Sequence, residues 1–218
     1  MPHGMEERHE EGFKSGYLFV IAVEGAEAEP AYFATFQERQ ATDGRQIRVE
    51  VLSPSKTDGL STPEDVLDRM DKRLRQGLRV DAGDELWIVF DVDHHTGEKV
   101  QKIADMAEET HYQIAISNPC FEIWLYWLLS DYSAEQAQTL RALEQGKRPK
   151  QMKTDYGALK HTAEQAYKPL RVRQIENLSD AIRRARESDT DSAALLPALP
   201  GTRIYRLVER LKQLCPDL

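Results

Sequence analysis

The sequence predicts an α/β fold built on a parallel sheet, and two observations support that prediction. Residues 86–90 (LWIVF) form an unbroken apolar run, rich in aromatic and β-branched side chains. A run of this kind is typical of a strand that is buried on both faces of a parallel sheet. Similar apolar segments alternate along the chain with amphipathic helical segments. Such alternation favours parallel strands joined by right-handed helical crossovers.

Two strands with a helix between them are predicted first. Residues 17–23 (YLFVIAV) form a second unbroken apolar run, and residues 47–52 (IRVEVL) alternate as a more exposed strand does. Between them, Pro30 suits the first turn of a helix. We expect that helix to end near residues 43–44, where Asp is followed by Gly.

Two more helices flank the central strand, and a fourth strand follows. Thr62 is predicted as the N-cap of the first of these helices, with Pro63 at its first position and Gly77 at its end. After the central strand, residues 98–110 are expected to be helical because their apolar side chains recur at helical spacing. Residues 112–116 are then predicted to form the fourth strand.

Beyond the fourth strand the sequence predicts helices only. Pro119 is expected to begin an apolar helix. Four further helical segments are predicted, at residues 134–145, 156–167, 171–187 and 203–214. The predicted organisation is a flexible polar arm over residues 1–16, an α/β domain over residues 17–130 and a helical C-terminal extension over residues 131–218.

Composition limits the location and partners that we expect. Hydrophobic residues make up 40% of the chain, yet no apolar run approaches the roughly 18 to 20 residues that a membrane span needs. The N-terminus lacks the apolar centre of a signal peptide, and two cysteines form neither a disulfide framework nor a CxxC motif. We therefore expect a cytoplasmic protein with no membrane partner.

Charge is divided unevenly along the chain. Residues 1–139 carry 13 Lys and Arg against 27 Asp and Glu, whereas residues 140–218 carry 16 against 10. The acidic first part disfavours nonspecific nucleic-acid binding, because contacts to phosphate need cations. The basic later part could supply those cations, or it could be an ordinary solvated helical surface.

Carboxylates stand at the C-terminal ends of the two most apolar strands. Asp91 and Asp93 follow the run at residues 86–90, and Glu24 follows residues 17–23. Ligands of open α/β sheets bind beyond these strand ends, and acids gathered there repel one another unless a cation or a shared proton lies between them. Two or three convergent carboxylates suffice for a hard divalent ion. Alternatively, these acids cap helices or solvate loops.

Further polar residues lie close to the same strand ends in the sequence. His94 and His95 could bind a softer metal or donate to a phosphate, or they could be ordinary loop residues. Ser117 and Asn118 could position a phosphate or satisfy the strand-to-helix turn. Glu122, in the first turn of the next helix, could point to the same cleft as a metal ligand or interact with the helix dipole.

The densest basic run is a candidate nucleic-acid contact. Its members are Lys147, Arg148, Lys150 and Lys153, in a segment that also contains Gly and Pro. They could bind a phosphate backbone, or they could belong to a solvated loop. The sequence contains no GxxxxGK[ST], GxGxxG, GxSxG or HExxH motif, so the chain is not itself a P-loop ATPase.

Several of these segments resemble a known family. EGAEAE (residues 24–29) together with DVD (residues 91–93) resembles the Toprim domain of topoisomerases, primases and overcoming-lysogenization-defect-type nucleases. The string SNPCFEIWL (residues 117–125) is similar to the signature of the RloB-like family, and EGAEAE is close to that family's E-G-x-x-T-E. The resemblance covers about residues 17–130 and, more faintly, residues 199–211.

The resemblance implies a Toprim-like parallel sheet flanked by helices and a metal-dependent nuclease activity with Mg²⁺ or Mn²⁺. Glu24 would be the general acid/base or a metal ligand, Asp91 and Asp93 would be metal ligands, and Glu29 would be an auxiliary ligand. Ala28 departs from the family pattern, which tends to have Thr there. The flanking acids remain.

The same resemblance implies biological partners. RloB-like proteins are associated with bacterial anti-phage loci, typically beside an AAA-type ATPase, so a nucleic-acid substrate and an ATPase partner are expected. The main alternative is a noncatalytic adaptor that binds an ATPase or a nucleic acid. A third possibility is a phosphatase or nucleotidyl-transfer enzyme that uses the same acids on small substrates.

Overall fold

A computed structural model describes residues 16–55, 61–92, 95–128, 178–198 and 200–218. Its strands are β1 (Gly16–Val23), β2 (Arg39–Gln40), β3 (Gln46–Leu52), β4 (Glu85–Asp91), β5 (Gln113–Asn118) and β6 (Gly201–Thr202). Its helices are α1 (Ala28–Phe33), α2 (Pro63–Arg75), α3 (Gly97–Glu109), α4 (Glu122–Leu128), α5 (Leu178–Ser188) and α6 (Ile204–Leu214). The six described strands form one sheet in the order β2-β3-β1-β4-β5-β6.

The four long strands are parallel, which confirms the predicted α/β class. β1 lies between β3 and β4, and its last residue, Val23, is opposite Val89 of β4. β4 continues past that pair to Asp91, which is opposite Ser117 of β5. The carboxyl ends of β1, β4 and β5 therefore lie side by side at one edge of the sheet.

Thr62 is the N-cap of α2, as predicted, and Pro63 is its first residue. The Thr62 side chain accepts a hydrogen bond from the Asp65 peptide N–H, and the Asp65 carboxylate accepts one from the Thr62 peptide N–H in return. This reciprocal capping box satisfies two peptide donors at the start of the helix. After α2, Gly77 has a φ of 91°, a left-handed conformation that glycine adopts without a steric penalty.

The first helix is shorter than predicted. α1 ends at Phe33, a 3-10 turn continues to Phe36, and the chain then adds β2 antiparallel to β3. Tyr32, Phe33 and Phe36 are buried together, with ring centroids 5.1 and 5.3 Å from Tyr32 to the other two. Packing of these rings fixes the end of the helix, and Glu38, with a φ of 61°, turns the chain into β2. Tertiary contacts thus override the local helical pattern.

The prediction that Pro119 begins a helix was wrong. The Asn118–Pro119 peptide bond is cis, and α4 begins three residues later, at Glu122. A turn fills the gap, closed by a hydrogen bond of 3.1 Å from the Ile123 N–H to the Cys120 carbonyl. The proline therefore belongs to this turn rather than to the helix.

Alternate strand residues divide between two cores, one on each face of the sheet. Val20 and Ala22 of β1 pack with α2 and α3 on one face. Phe19 and Ile21 pack with α1, α4, α5 and α6 on the other. The predicted C-terminal helix is present as α6, and the residues before it add β6 antiparallel to β5. The region from residue 178 onward therefore contributes to the sheet as well as to the core.

No helix in the described ranges is long and apolar enough to cross a membrane. The predicted helices at residues 134–145 and 156–167, and residues 1–15 of the predicted arm, lie outside those ranges.

Candidate carboxylate centre at the ends of β1 and β4

Strand alternation decides which helices Asp91 faces. Trp87 and Val89 of β4 belong to the core beside α1 and α4, and Asp91 has the same parity along the strand. Its carboxyl group is consequently close to Glu29 of α1 and Glu122 of α4, the two acids that these helices contribute.

Asp91 lies in an environment that opposes its ionisation. Burial raises the pKa of its carboxyl well above the usual range, and the nearby carboxylates of Glu29, Glu122 and Glu24 raise that pKa further. The Phe121 peptide N–H donates a hydrogen bond to Asp91 and acts in the opposite direction. The residue as a whole is half-buried, but burial of its carboxyl group is the largest cause of the raised pKa. A proton or a cation is needed to offset that repulsion.

Glu24 connects the ends of the two strands. Its Oε2 accepts a hydrogen bond of 3.1 Å from the Asp91 peptide N–H, and its Oε1 is 3.4 Å from His95 Nε2. The Glu24 peptide N–H donates to the Val89 carbonyl at 3.2 Å, which extends the pairing of β1 with β4 by one residue. Glu24 is thus held in place by β4 through both its backbone and its side chain.

Glu29 is buried although it carries a carboxylate, with a relative exposure of 6%. Its Oε1 accepts a hydrogen bond of 3.0 Å from the Gly25 peptide N–H. A Cβ atom on Gly25 would lie 2.1 Å from Glu29 Oε2, so any side chain at that position would collide with the carboxylate. Glycine at this position leaves room for the Glu29 carboxylate, which a larger residue would displace.

Glu122 begins a helix in which each of the seven residues is buried. Its own relative exposure is 3%, and it contributes to the repulsion at Asp91. Its predicted place in the first turn of this helix is confirmed. Glu122 and Glu29 therefore bring two carboxylates from the helical layer toward the end of β4.

Ser117 and Asn118 make contacts with the C-terminal region. The Ser117 hydroxyl lies 2.8 Å from the Thr202 hydroxyl, and both residues are fully buried. The Asn118 side-chain amide donates to the Pro197 carbonyl at 3.0 Å. Both side chains therefore bind residues of the C-terminal region at the end of β5, and the role of Ser117 or Asn118 toward a phosphate stays a prediction.

Several predicted site residues lie outside the ranges that the structure describes. They are Asp93, His94, Lys147, Arg148, Lys150 and Lys153. The residues that the structure does place near Asp91 are Glu24, Glu29 and Glu122.

Two contacts of the centre were missed from the sequence. The contact of the Gly25 peptide N–H with the Glu29 carboxylate, four residues away, was not predicted; its signal is a glycine followed four residues later by an acid in the first turn of α1. Thr202 gave no signal, because its contact with Ser117 spans 85 residues of sequence.

The family of the chain follows from a match that covers this centre. The sequence model of the RloB-like protein family matches residues 19–211, most of the 218 residues. The chain belongs to the RloB-like family. No curated protein and no solved structure matches it.

The RloB-like match includes more than the segment that carries the sequence resemblance. It begins at Phe19 in β1 and ends at Leu211 in α6, so it takes in β6 and the residues that precede it. The resemblance to this family is therefore confirmed, and the family pattern extends into the C-terminal part of the fold.

Proposed function

We propose that this RloB-like protein is a Mg²⁺- or Mn²⁺-dependent endonuclease that cleaves phosphodiester bonds of nucleic acid. The observation that carries the proposal is the gathering of acids around Asp91, whose pKa is raised by burial and by Glu29, Glu122 and Glu24. Perturbed carboxylates at the carboxyl edge of an α/β sheet mark a candidate functional site. Three of these acids, Glu24, Glu29 and Asp91, lie in the segments that resemble the Toprim domain.

The donor set fits a hard divalent ion. All four groups are carboxylates, and oxygen donors suit Mg²⁺ and Mn²⁺. Within the described ranges, no group of three or more His, Cys, Asp or Glu side chains is arranged to hold a metal ion. Mg²⁺ keeps several waters, however, and is commonly bound by one or two protein carboxylates together with substrate phosphates. Two of the four acids are therefore enough.

The four acids would have different roles in this proposal. Asp91 and one neighbouring acid, Glu29 or Glu122, would hold the ion, which would supply charge neutralisation at the phosphate. Glu24 lies between the Asp91 peptide and His95, a position from which its carboxylate can orient a water molecule and accept a proton. Asp93 would add a further ligand from the segment that follows β4.

We further propose that the protein acts as an effector of anti-phage defence together with an AAA-type ATPase. Family membership supports this, since the association of RloB-like proteins with such loci was the expectation drawn from the sequence. The net positive charge of residues 140–218 supports a nucleic-acid contact there, with Lys147, Arg148, Lys150 and Lys153 as the densest group.

A noncatalytic adaptor is the second candidate function. The strongly acidic residues 1–139 favour a protein partner over nucleic acid. In addition, carboxylate oxygens of Glu24, Glu29 and Asp91 already accept hydrogen bonds from peptide N–H groups, which a metal ion would have to replace or share.

Cleavage assays with matched variants test the proposal. Wild-type protein, Asp91→Asn and the control Asp105→Asn are incubated with plasmid DNA or RNA and Mn²⁺, with and without the purified ATPase. Asp105 is an exposed acid of α3 that hydrogen-bonds Gln101. We expect Asp91→Asn to lose at least about 100-fold in rate and Asp105→Asn to retain activity. Equal cleavage by both variants would overturn the nuclease proposal, and the absence of any Mn²⁺ response in the wild type would favour the adaptor.

A further inference from the structure

A C-terminal segment is fixed against the end of β5, beside the carboxylate centre. Thr202 lies opposite Ser117 and Gly201 opposite Asn118 in the antiparallel pairing of β6 with β5. The Arg203 peptide N–H continues this pairing with a hydrogen bond of 2.8 Å to the Ile116 carbonyl. The outer edge of β5, which faces away from β4, is thereby paired where it approaches the centre.

A buried ion pair holds this segment in position. The guanidinium of Arg203 contacts the carboxylate of Asp189 through two nitrogens, with Nε 3.0 Å from Oδ2 and Nη2 3.1 Å from Oδ1. The relative exposure of the two side chains is 6% for Arg203 and 0% for Asp189. Such a two-pronged contact fixes orientation as well as distance. The Tyr205 hydroxyl donates a third hydrogen bond to Asp189, at 3.0 Å.

The Arg203 guanidinium also donates hydrogen bonds to backbone carbonyls of the loop that precedes β6. Arg203 Nη1 donates to the Leu195 carbonyl at 3.1 Å, and Nη2 donates to the Asp191 carbonyl at 3.0 Å. A little further along, the Pro197 carbonyl accepts from the Asn118 side chain. The buried Arg203 side chain therefore joins Asp189, Asp191 and Leu195 to the start of α6.

Thr202 connects this C-terminal segment to the centre. Its hydroxyl is 2.8 Å from that of Ser117, the residue opposite Asp91 in the pairing of β4 with β5. The Ser117 carbonyl also accepts a hydrogen bond of 2.8 Å from the Val92 N–H, directly after Asp91. From Ser117 the chain runs through one turn to Phe121, whose peptide N–H donates to the Asp91 carboxyl. A movement of the end of β5 would displace that donor and the neighbouring glutamate.

We propose that Thr202, held by the Asp189–Arg203 pair, is a positioning residue of the carboxylate centre. It fixes the end of β5 so that the Phe121 N–H and the Glu122 carboxylate face Asp91. The inference rests on the proposed function, because its measurable consequence is the affinity of the centre for a divalent ion. Residues that orient ligands through another group commonly change metal affinity by about 10- to 100-fold when they are replaced.

The test removes one hydroxyl and keeps the side-chain shape. Thr202→Val deletes the contact with Ser117 and the acceptor for the Ile204 N–H. Ser117→Ala removes the shared contact from the other side. The control is Thr110→Val, at the C-terminal end of α3, where the hydroxyl donates to the Met106 carbonyl at 2.8 Å. Mn²⁺ affinity of each full-length protein is measured by calorimetry, well below its melting temperature.

We expect Thr202→Val and Ser117→Ala each to weaken Mn²⁺ binding by about tenfold, and Thr110→Val to leave it unchanged. The double variant Thr202→Val with Ser117→Ala should be no weaker than either single variant, because both remove one interaction. Hydrogen exchange in metal-free buffer should accelerate at the Phe121 peptide N–H in both single variants, but not in β3.

The outcomes separate the inference from the function on which it rests. Wild-type Mn²⁺ affinity in both Thr202→Val and Ser117→Ala would overturn the positioning role, even if the melting temperature fell, since a purely structural contact would give that result. A wild-type chain that binds no Mn²⁺ at millimolar concentration would overturn the proposed function and the inference with it.

Discussion

The Asp91 peptide N–H donates a hydrogen bond of 3.1 Å to Oε2 of Glu24, so the acids that end β1 and β4 are joined across neighbouring parallel strands. This contact fixes the Glu24 side chain, while the Asp91 carboxyl faces the acids of α1 and α4. Asp91 at the end of β4 thus contributes to the centre in two ways. Its peptide N–H binds Glu24, and its carboxyl group faces Glu29 and Glu122.

Neutralising Asp91 should stabilise the metal-free protein. Its pKa is higher in the folded than in the unfolded state, so its favourable contribution is complete below the unfolded pKa of about 3.9 and is lost as pH rises through the folded pKa. In EDTA at neutral pH, Asp91→Asn should therefore melt at a higher temperature than the wild type. The gap should narrow as the pH is lowered toward 4.

With added metal, the wild type should melt at a higher temperature than Asp91→Asn. Mn²⁺ should raise the melting temperature of the wild type and have little effect on Asp91→Asn, because a ligand stabilises the state to which it binds. Thermal melts of both proteins, with Asp105→Asn as a control for an exposed acid of α3, check the prediction. A lower melting temperature for Asp91→Asn in EDTA would contradict the repulsion inferred at this carboxyl.

Adding a methyl group at Gly25 should disrupt the centre. Gly25→Ala places Cβ 2.1 Å from Glu29 Oε2, so the carboxylate must move, and we expect a loss of about 1 to 3 kcal/mol in the free energy of unfolding. Urea denaturation measures it. The double variant Gly25→Ala with Glu29→Ala should be less destabilised than the sum of its single variants, because the colliding group is absent.

Gly97→Ala is the matched control for this prediction. A Cβ on Gly97 would meet no atom within 4 Å, and the residue begins α3, where alanine is a good helix former. We expect little change in unfolding free energy. A comparable loss in both glycine variants would show that the Glu29 contact is not the cause.

Breaking the buried ion pair should be costly. Asp189→Asn leaves the Arg203 guanidinium buried without its counter-charge, and loss of one partner of a buried pair typically costs about 3 to 5 kcal/mol. Denaturant unfolding should show this as a lower midpoint with an unchanged slope.

The surface pair Arg183–Glu187 provides the comparison. It lies on α5 with both side chains more than half exposed, and exposed pairs of this spacing contribute only about 0.3 to 0.5 kcal/mol. Glu187→Gln should therefore change stability slightly. If Asp189→Asn and Glu187→Gln lost the same unfolding free energy, the buried pair would contribute no more to stability than the exposed pair.

Removing the cap of α2 should cost about 1 kcal/mol, the usual value for replacing an N-cap threonine by alanine. Hydrogen bonds from Thr62 lower the pKa of Asp65, so this acid contributes stability above its unfolded pKa and loses it as pH falls. The cost of Thr62→Ala should thus be greater at pH 7 than at pH 3, as measured by urea unfolding at both values. An equal cost at both would mean that Asp65 takes no part in the cap.

The long parallel strands and the acids at their ends were predictable because their signals are local. An unbroken apolar run such as residues 86–90 requires burial on both faces, and Asp91 directly follows it. The cap at Thr62 is equally local, since its partner lies three residues away. Residues 201–202, by contrast, form a strand too short to have a pattern of its own, and its partner is distant in the sequence.

The end of α1 was not predictable for a different reason. The segment from Pro30 to Phe36 has the composition of a continuing helix, but the chain leaves it after Phe33 for a 3-10 turn in which Phe36 is buried in the core with Phe33. The start of α4 also differs from the prediction, because residues 119–121 form a turn closed by the hydrogen bond from the Ile123 N–H to the Cys120 carbonyl.

The pairing of β5 with β6 also sets an order of events during translation. The ribosome delivers Glu24, Glu29, Asp91 and Glu122 well before Thr202, which must then find Ser117 across 85 residues. A nascent chain that has not reached residue 201 contains all four acids, but the outer edge of its fifth strand has nothing from β6 to pair with. The contacts of β6 with β5 beside the four acids can therefore form only after the C-terminal region has been synthesised.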